Sequence, residues 1–392
     1  MEIQTIEDID IENKKVLVRV DFNVPLNEDG DITEDERIKA AIPTITFLLE
    51  KNAKIILMSH LGRPKGQVVE KLKMDKVAKK LSELLNREVI KLDDCVSEKV
   101  KEKIDEMKNK DIILLENLRF HAEEENNDEE FAKELASLGD VYVNDAFANC
   151  HRNHASMTTI TRFLPSCAGF LVEEELEVLT KIMQNPEKPF VAIIGGAKPD
   201  KMNVIRNLLS IADKIIIGGV LANTFLKAMG ANIGKSKFDP ESVNDAKLLL
   251  LQSKGKIILP IDVFVADSIE KGENSRIAKI EKITDECIIG DIGSDSIALY
   301  KKILRDAKTV VWGGPIGAFE FEKFQEGTHE IALFLSGLDA KVFVGGGESA
   351  AAIKELGLEN EVSYSSTGGG AFLQFLSGKE LPAIKALQKQ SY

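Results

Sequence analysis

With 392 residues the chain has room for two or three domains, and 44% hydrophobic with 29% charged residues is the make-up of a water-soluble globular protein. Lys and Arg number 51 against 64 Asp and Glu, a net charge of −13. Such a surface argues against nucleic acid and anionic membranes as partners, so an anionic ligand would need a local basic cluster.

The opening MEIQTIEDIDIE lacks the basic start and apolar stretch of a signal peptide. Cys95, Cys150, Cys167 and Cys287 are scattered without a C-x-x-C pair, the pattern of reduced thiols in a cytoplasmic protein. Short β-branched runs at 16–20, 54–58, 112–115 and 141–143 alternate with helical periodicity at 76–85 and 129–138. The charged stretch VEEELEVLTKIMQNPEKP, residues 172–189, reads as a helix halted by Pro186 and Pro189. Apolar runs then resume at 190–194, 214–217, 256–259, 309–312 and 341–344, with a helix at 295–304. The most apolar run, 215–222, falls far short of the roughly 20 residues a membrane span needs.

Strands that are apolar at every position and separated by helices predict parallel sheets covered on both faces, an α/β doubly wound fold. We expect a first lobe over 1–171, a connecting helix and linker over 172–189, and a second lobe over 190–371. The segment 372–392 is too short for a domain and must pack on a lobe.

In open α/β sheets ligands bind on the loops after the strands. In the first half those loops are basic: Asp21-Phe22-Asn23 and then Arg37, His60-Leu61-Gly62-Arg63, Arg119-Phe120-His121, and His151-Arg152. A single arginine there would be a helix cap or a surface ion pair. Four arginines and three of five histidines at equivalent strand ends predict a small, multiply charged anion. In the second half the loops are glycine-rich: Gly195-Gly196-Ala197-Lys198, Gly218-Gly219, Gly313-Gly314-Pro315-Ile316-Gly317, Gly345-Gly346-Gly347-Glu348-Ser349 and Thr367-Gly368-Gly369-Gly370. Glycine lets backbone N–H groups approach a polyphosphate, and the helix that follows adds its dipole. Glu320 and Glu348 offer oxygen ligands for a ribose and a hard metal ion.

Other patterns are read more plainly. Gly230-Ala-Asn-Ile-Gly234-Lys235-Ser236 is one residue short of a Walker A loop and reads as a turn with a surface lysine. Cys150-His151 has no third group for a thiol nucleophile, and His151-x-x-His154 has no carboxylates around it for a metal.

The segments VLVRVDFNVPL, SHLGRPKG, ENLRFHAEEE, VNDAFANCHRNHASM, GGAKPDKMNVI, WGGPIGAFEFEKF, GGGESAAAI and STGGGAFLQFLSGKELPAI, in that order, resemble the phosphoglycerate kinase family from about residue 16 to 383. The resemblance implies a hinge-bending kinase of two Rossmann-like lobes joined by the 172–189 helix, with the C-terminal segment returning to the N-lobe. It implies phosphoryl transfer between MgATP and the carboxylate of 3-phosphoglycerate, giving ADP and 1,3-bisphosphoglycerate, by a monomer. By that resemblance Arg63, Arg119 and Arg152 hold the 3-phosphate, while Asp21, Phe22, Asn23, His60, Leu61 and Gly62 bind the rest of the acid. Arg37, Lys198 and Gly369 form the catalytic set. Lys198, Lys201, Gly219, Glu320, Gly346, Gly347, Glu348 and Ser349 bind the nucleotide, with Glu348 holding Mg2+.

This chain departs from the family pattern only in the nucleotide half. GGAKPDK is one residue shorter than the usual loop, Gly313 replaces an asparagine, Glu348 an aspartate and Val220 a glycine. A different nucleotide preference or weaker ATP binding is thus expected before a different acid. The rival readings are another kinase of a phosphorylated acid, or a non-catalytic metabolite-binding relative; binding alone would need neither Lys198 nor Glu348.

Overall fold

A strand that is apolar on both faces is stable only when helices cover both, and the fold follows from meeting that condition twice. A computed structural model describes residues 3–198 and 200–388. β1 (Lys15–Val20), β2 (Lys54–Met58), β3 (Ile90–Lys91), β4 (Ile112–Leu114), β5 (Val141–Asp145) and β6 (Ser166–Ala168) make one sheet, all parallel, in the order β3-β4-β2-β1-β5-β6. The second half adds β7 (Phe190–Ile194), β8 (Lys214–Ile217), β9 (Ile257–Ile258), β10 (Asp262–Ala266), β11 (Arg276–Lys279), β12 (Ile288–Ile292), β13 (Thr309–Gly313), β14 (Lys341–Gly345) and β15 (Tyr364–Ser366). Six of these form a parallel sheet in the order β15-β14-β13-β7-β8-β9.

The remaining three are an addition to the two expected parallel sheets. They form a small antiparallel sheet, β11-β10-β12. Pro260 stops β9 after two residues, and the chain leaves the parallel sheet. β11 is half exposed, so no continuous apolar run announces it.

The chain divides into two units. One ends at Val178 and takes back the chain from Glu380; the other runs Leu179–Lys379. The division falls inside the helix Phe170–Gln184. The helix Gly370–Leu376 stays with the second unit, where Asn207 Nδ2 donates to the Leu376 carbonyl at 2.9 Å.

Local chemistry fixes the covering helices. Asp75–Leu85 ends on Asn86 in the left-handed conformation, φ 48°. Asp128 caps Glu129–Ala136 by accepting from Phe131 N at 2.9 Å. Among the described residues no helix is long and apolar enough to cross a membrane.

Sheet register positions the loops that matter. The strand order reverses direction between β1 and β5 in the first unit and between β7 and β13 in the second, which is where open α/β sheets bind ligands. Arg19 of β1 lies beside Met58 of β2 and Asn144 of β5, so the loops after three strands start level. Gly313 likewise pairs with Ile194 and Gly345.

Candidate active site

In the first unit the loops after β1, β2 and β4 are stitched by side-chain amides and a hydroxyl. Ser59 Oγ accepts from Phe22 N at 2.9 Å, and Asn23 Oδ1 accepts from Gly62 N at 2.8 Å. Asn117, fully buried, accepts from Leu61 N and Arg119 N at 3.2 and 3.1 Å and donates to the Leu61 and Leu72 carbonyls. Gly62 has φ +66°, and a Cβ there would lie 2.8 Å from Leu72. The Gly62 carbonyl receives Arg119 Nη1 at 2.9 Å. Arg37, from the helix Glu36–Ala40, pairs with Asp21. Arg152 follows the single turn Phe147–Asn149, and Arg63 is exposed.

Several of these groups bury polar atoms that make no hydrogen bond. His60 Nε2, Arg119 Nε and Arg152 Nη1 have no hydrogen-bond partner among the described residues, although Arg119 Nε lies 3.3 Å from Glu125 Oε1 in an ion pair. Burial and the neighbouring Arg152 bring Arg119 down to about 10, and burial with Arg19 lowers Arg152. His60 lies well below the ordinary histidine value, held there by burial and by Arg19, Arg119 and Arg152. Cations that depress one another and bury unused donors are costly in the free protein. A small polyanion satisfies donors and charge together.

The structure changes the membership of this cluster. His121 was expected in it; instead Nε2 bonds Asp94 at 2.9 Å and the ring stacks on Phe131 at 5.1 Å. His154 takes part, with burial and Arg119 bringing it down to about 3. Arg19 was missed because it sits inside a strand. Its signal was available, as the one charge within the apolar run VLVRV.

Other candidates carry less. Burial pushes the Cys150 thiol up, and its Sγ donates to the Ala146 carbonyl at 3.6 Å, an inert arrangement. Lys235 is exposed and pairs with Glu286. Asp94, Cys95 and His121 lie close enough to share a metal ion. They satisfy one another and the Glu116 carbonyl, so nothing there requires a cation.

In the second unit a cavity of about 380 Å³ is lined by Gly196, Gly219, Pro315, Gly317, Glu320 and Glu348, among others. Gly219 has φ +60° and donates to the Ile316 carbonyl at 2.6 Å; a Cβ there would strike the Gly196 backbone at 2.6 Å. Gly346, φ +101°, opens the helix Gly347–Glu355, which places Glu348 in its first turn. Ser349 is buried, accepting from Gly314 N at 3.1 Å and donating to the Gly345 carbonyl at 2.8 Å. Trp312 is fully buried and donates from Nε1 to the Gly314 carbonyl at 2.8 Å. Gly369, φ +37°, opens the helix Gly370–Leu376.

The two lysines of GGAKPDK differ. Lys198 is exposed. Lys201 is buried and donates its ammonium to the Gly195 and Gly313 carbonyls, and burial brings it down to about 8. It therefore ties the loops after β7 and β13 together.

The family model described as "Phosphoglycerate kinase" matches residues 6–379. A phosphoglycerate kinase of Pelotomaculum thermopropionicum is 49% identical over 388 residues, covering 98% of each chain. One of Moorella thermoacetica is 49% identical over 390 residues, covering 98% of this chain and 99% of that one. The structure of phosphoglycerate kinase from Coxiella burnetii matches with a TM-score of 0.86 at 39% identity, covering 98% of this chain and 99% of that chain.

Proposed function

Since the chain belongs to the phosphoglycerate kinase family and carries out phosphoryl transfer between ATP and the carboxylate of 3-phosphoglycerate in glycolysis, we propose how its residues divide that work. The acid occupies the basic cluster of the first unit. Arg63, Arg119 and Arg152 hold its 3-phosphate, and Asp21, Asn23 and His60 hold the glycerate against the backbone of Phe22, Leu61 and Gly62. The observation that carries this reading is the pair of buried, unused donors on His60 and Arg152 beside the buried cation of Arg119. A trianionic acid supplies acceptors for all of them.

The nucleotide occupies the cavity of the second unit. Gly219 and Glu320 flank its nucleoside, and Gly346, Gly347 and Ser349 lie at its phosphates with the N-terminus of the helix Gly347–Glu355. Lys198, exposed, is the cation for the transferring group, with Gly369 and Arg37 completing the catalytic set. Lys201 acts on the nucleotide by holding the loops at Gly195 and Gly313.

Glu348 suits Mg2+, which binds through one or two carboxylates together with substrate phosphates, and this carboxylate lines the cavity. When bound, the ion offsets phosphate charge. The acid's carboxylate is already an anionic nucleophile, so no residue is needed as a base. Positioning and charge stabilisation by arginines, lysine and backbone N–H groups do the catalysis.

The linker over 172–189 then joins the acid-binding and nucleotide-binding lobes. Four free, buried cysteines support a reducing cytoplasm as its compartment. We read the protein as a monomer, which sedimentation would test. The site assignment is tested by calorimetric titration with 3-phosphoglycerate. Arg119→Ala and Arg152→Ala should each weaken binding by about tenfold or more while ATP binding stays intact. Unchanged acid affinity in both variants would remove the cluster from the site.

A further inference from the structure

The imidazole of His60 has a neighbour that decides where its proton sits. Nδ1 lies 3.2 Å from Nη2 of Arg19, and both residues are buried. A guanidinium has donors only, so Nδ1 must accept and carry no proton. The proton of the neutral ring is then on Nε2, the atom that is buried without a partner.

Arg19 is itself held. Its Nη1 donates to the Val20 carbonyl, and its Nε donates to Ser156 Oγ at 2.9 Å. The Ser156 hydroxyl has one proton, and it goes to Glu124 Oε1 at 2.6 Å, while Ser156 N donates to Glu124 Oε2 at 2.9 Å. Glu124 and Ser156 are fully buried. Arg19 thus donates to both sides, to His60 Nδ1 on one and to Ser156 Oγ on the other, and Ser156 passes its own proton on to the carboxylate. The carboxylate also balances Arg19, which would otherwise be an uncompensated charge in the core.

We propose that Glu124, Ser156 and Arg19 act in series as positioning residues that hold His60 as its Nε2–H tautomer, giving the bound acid a fixed N–H donor. This rests on the reading that the basic cluster takes 3-phosphoglycerate. The charged and titratable groups facing the ring are Arg19, Arg119, Arg152 and His154, and burial acts in the same direction as these cations. The ring stays neutral and moves no proton during transfer. Its role is to present one hydrogen to a carboxylate or hydroxyl oxygen of the acid, at an orientation set from behind.

The test is nitrogen NMR of the full chain labelled with 15N-histidine, with His60 assigned by its absence in His60→Gln. The expected spectrum has Nδ1 as an unprotonated and Nε2 as a protonated ring nitrogen, unchanged from about pH 6 to 8. Protonation at Nδ1, or titration near the ordinary histidine value, would overturn the proposal.

Ser156→Ala cuts the series at its middle. His60 should then show averaged or titrating nitrogens, and KM for 3-phosphoglycerate should rise roughly tenfold, by more than kcat falls. Ser156→Thr, which keeps the hydroxyl, should restore both. Wild-type nitrogen shifts and wild-type KM in Ser156→Ala would show that the series does not position the ring; should that variant fail to fold, the wild-type spectra still decide. Adding 3-phosphoglycerate to the wild type should move the Nε2 signal. The expected tautomer without that response would overturn the acid-site reading, whereas the response with the other tautomer would overturn the series alone.

Discussion

The guanidinium of Arg37 pairs with the buried carboxylate of Asp21, the first residue after β1. Arg37 itself is about one-third exposed. The pair fixes a cation at the edge of the acid cluster before any ligand arrives, and pre-set charge is what lowers a barrier rather than a binding constant.

Arg37→Ala should therefore lower kcat by roughly 10²–10³-fold, the usual effect of deleting one pre-organised transition-state contact. It should also lower thermal stability, because Asp21 is left buried without its partner. Steady-state kinetics with both substrates saturating check this; near-normal kcat would remove Arg37 from the reacting centre.

Arg119 offers the opposite balance. Its charge is buried beside Arg152 and Arg19, and the partly exposed Glu125 offsets this only in part, so Arg119→Met should raise the melting temperature of the free protein while weakening acid binding. Inorganic phosphate should stabilise the wild type through mass action and lose most of that effect in the variant. A ligand-free variant that melts lower than the wild type would contradict the idea of stored repulsion.

Asp145 gives a pH dependence. Burial pushes it from 3.8 up to about 7, where it accepts from Leu171 N at 2.9 Å near the start of the helix Phe170–Gln184. The folded state holds this proton more tightly than the unfolded chain does. Its contribution is complete below the unfolded value of 3.8 and is lost as pH rises through about 7. Asp145→Asn, which mimics the protonated form, should melt at least about 2–4 °C above the wild type at pH 8, a shift of ~1 kcal/mol. The gap should close as pH falls towards 4. Calorimetric scans at several pH values decide, and a constant gap would contradict the linkage.

The two lysines of the nucleotide loop should separate in kinetics. Lys198→Ala should depress kcat by about 10²-fold or more with an unchanged melting temperature, since that side chain is exposed. Lys201→Met should lower the melting temperature and raise KM for ATP, because two backbone carbonyls lose their donor. Equal melting temperatures for both variants would mean that the Lys201 contacts hold nothing.

Glu348 is longer than the aspartate usual in the family, and Mg2+ tolerates little departure from octahedral geometry near 2.0–2.1 Å. Manganese, larger and less demanding, should support activity comparatively well in the wild type. Glu348→Asp should lower the manganese-to-magnesium activity ratio, and Glu348→Ala should lower kcat with either ion. Full activity of Glu348→Ala at limiting magnesium would show that this carboxylate does not hold the ion.

What could be read in advance divides by physics. β7, β8, β13 and β14 are runs apolar on both faces, and no other arrangement buries them. β3, β6, β9 and β15 are two or three residues long, set by register with a neighbour more than by their own composition. The antiparallel sheet of β10, β11 and β12 hid for a related reason, since β11 is half exposed and only β10 at its centre is nearly all buried. Site residues on loops were legible because cations and glycines stand out there. Arg19, His154 and Asn117 were not, because their roles come from contacts across the chain: Arg19 reaches Ser156, and Asn117 reaches Leu61.

Trp312, at the end of β13 with its indole N–H on the Gly314 carbonyl, is the chain's single tryptophan. Light absorbed at the red edge of the protein spectrum is therefore emitted from one indole, seated directly beneath the Gly313–Gly317 loop, and from nowhere in the first unit. The protein carries its own optical gauge for the second unit: a shift in emission reports on that loop without a dye, while events confined to the arginine cluster leave the emission unchanged.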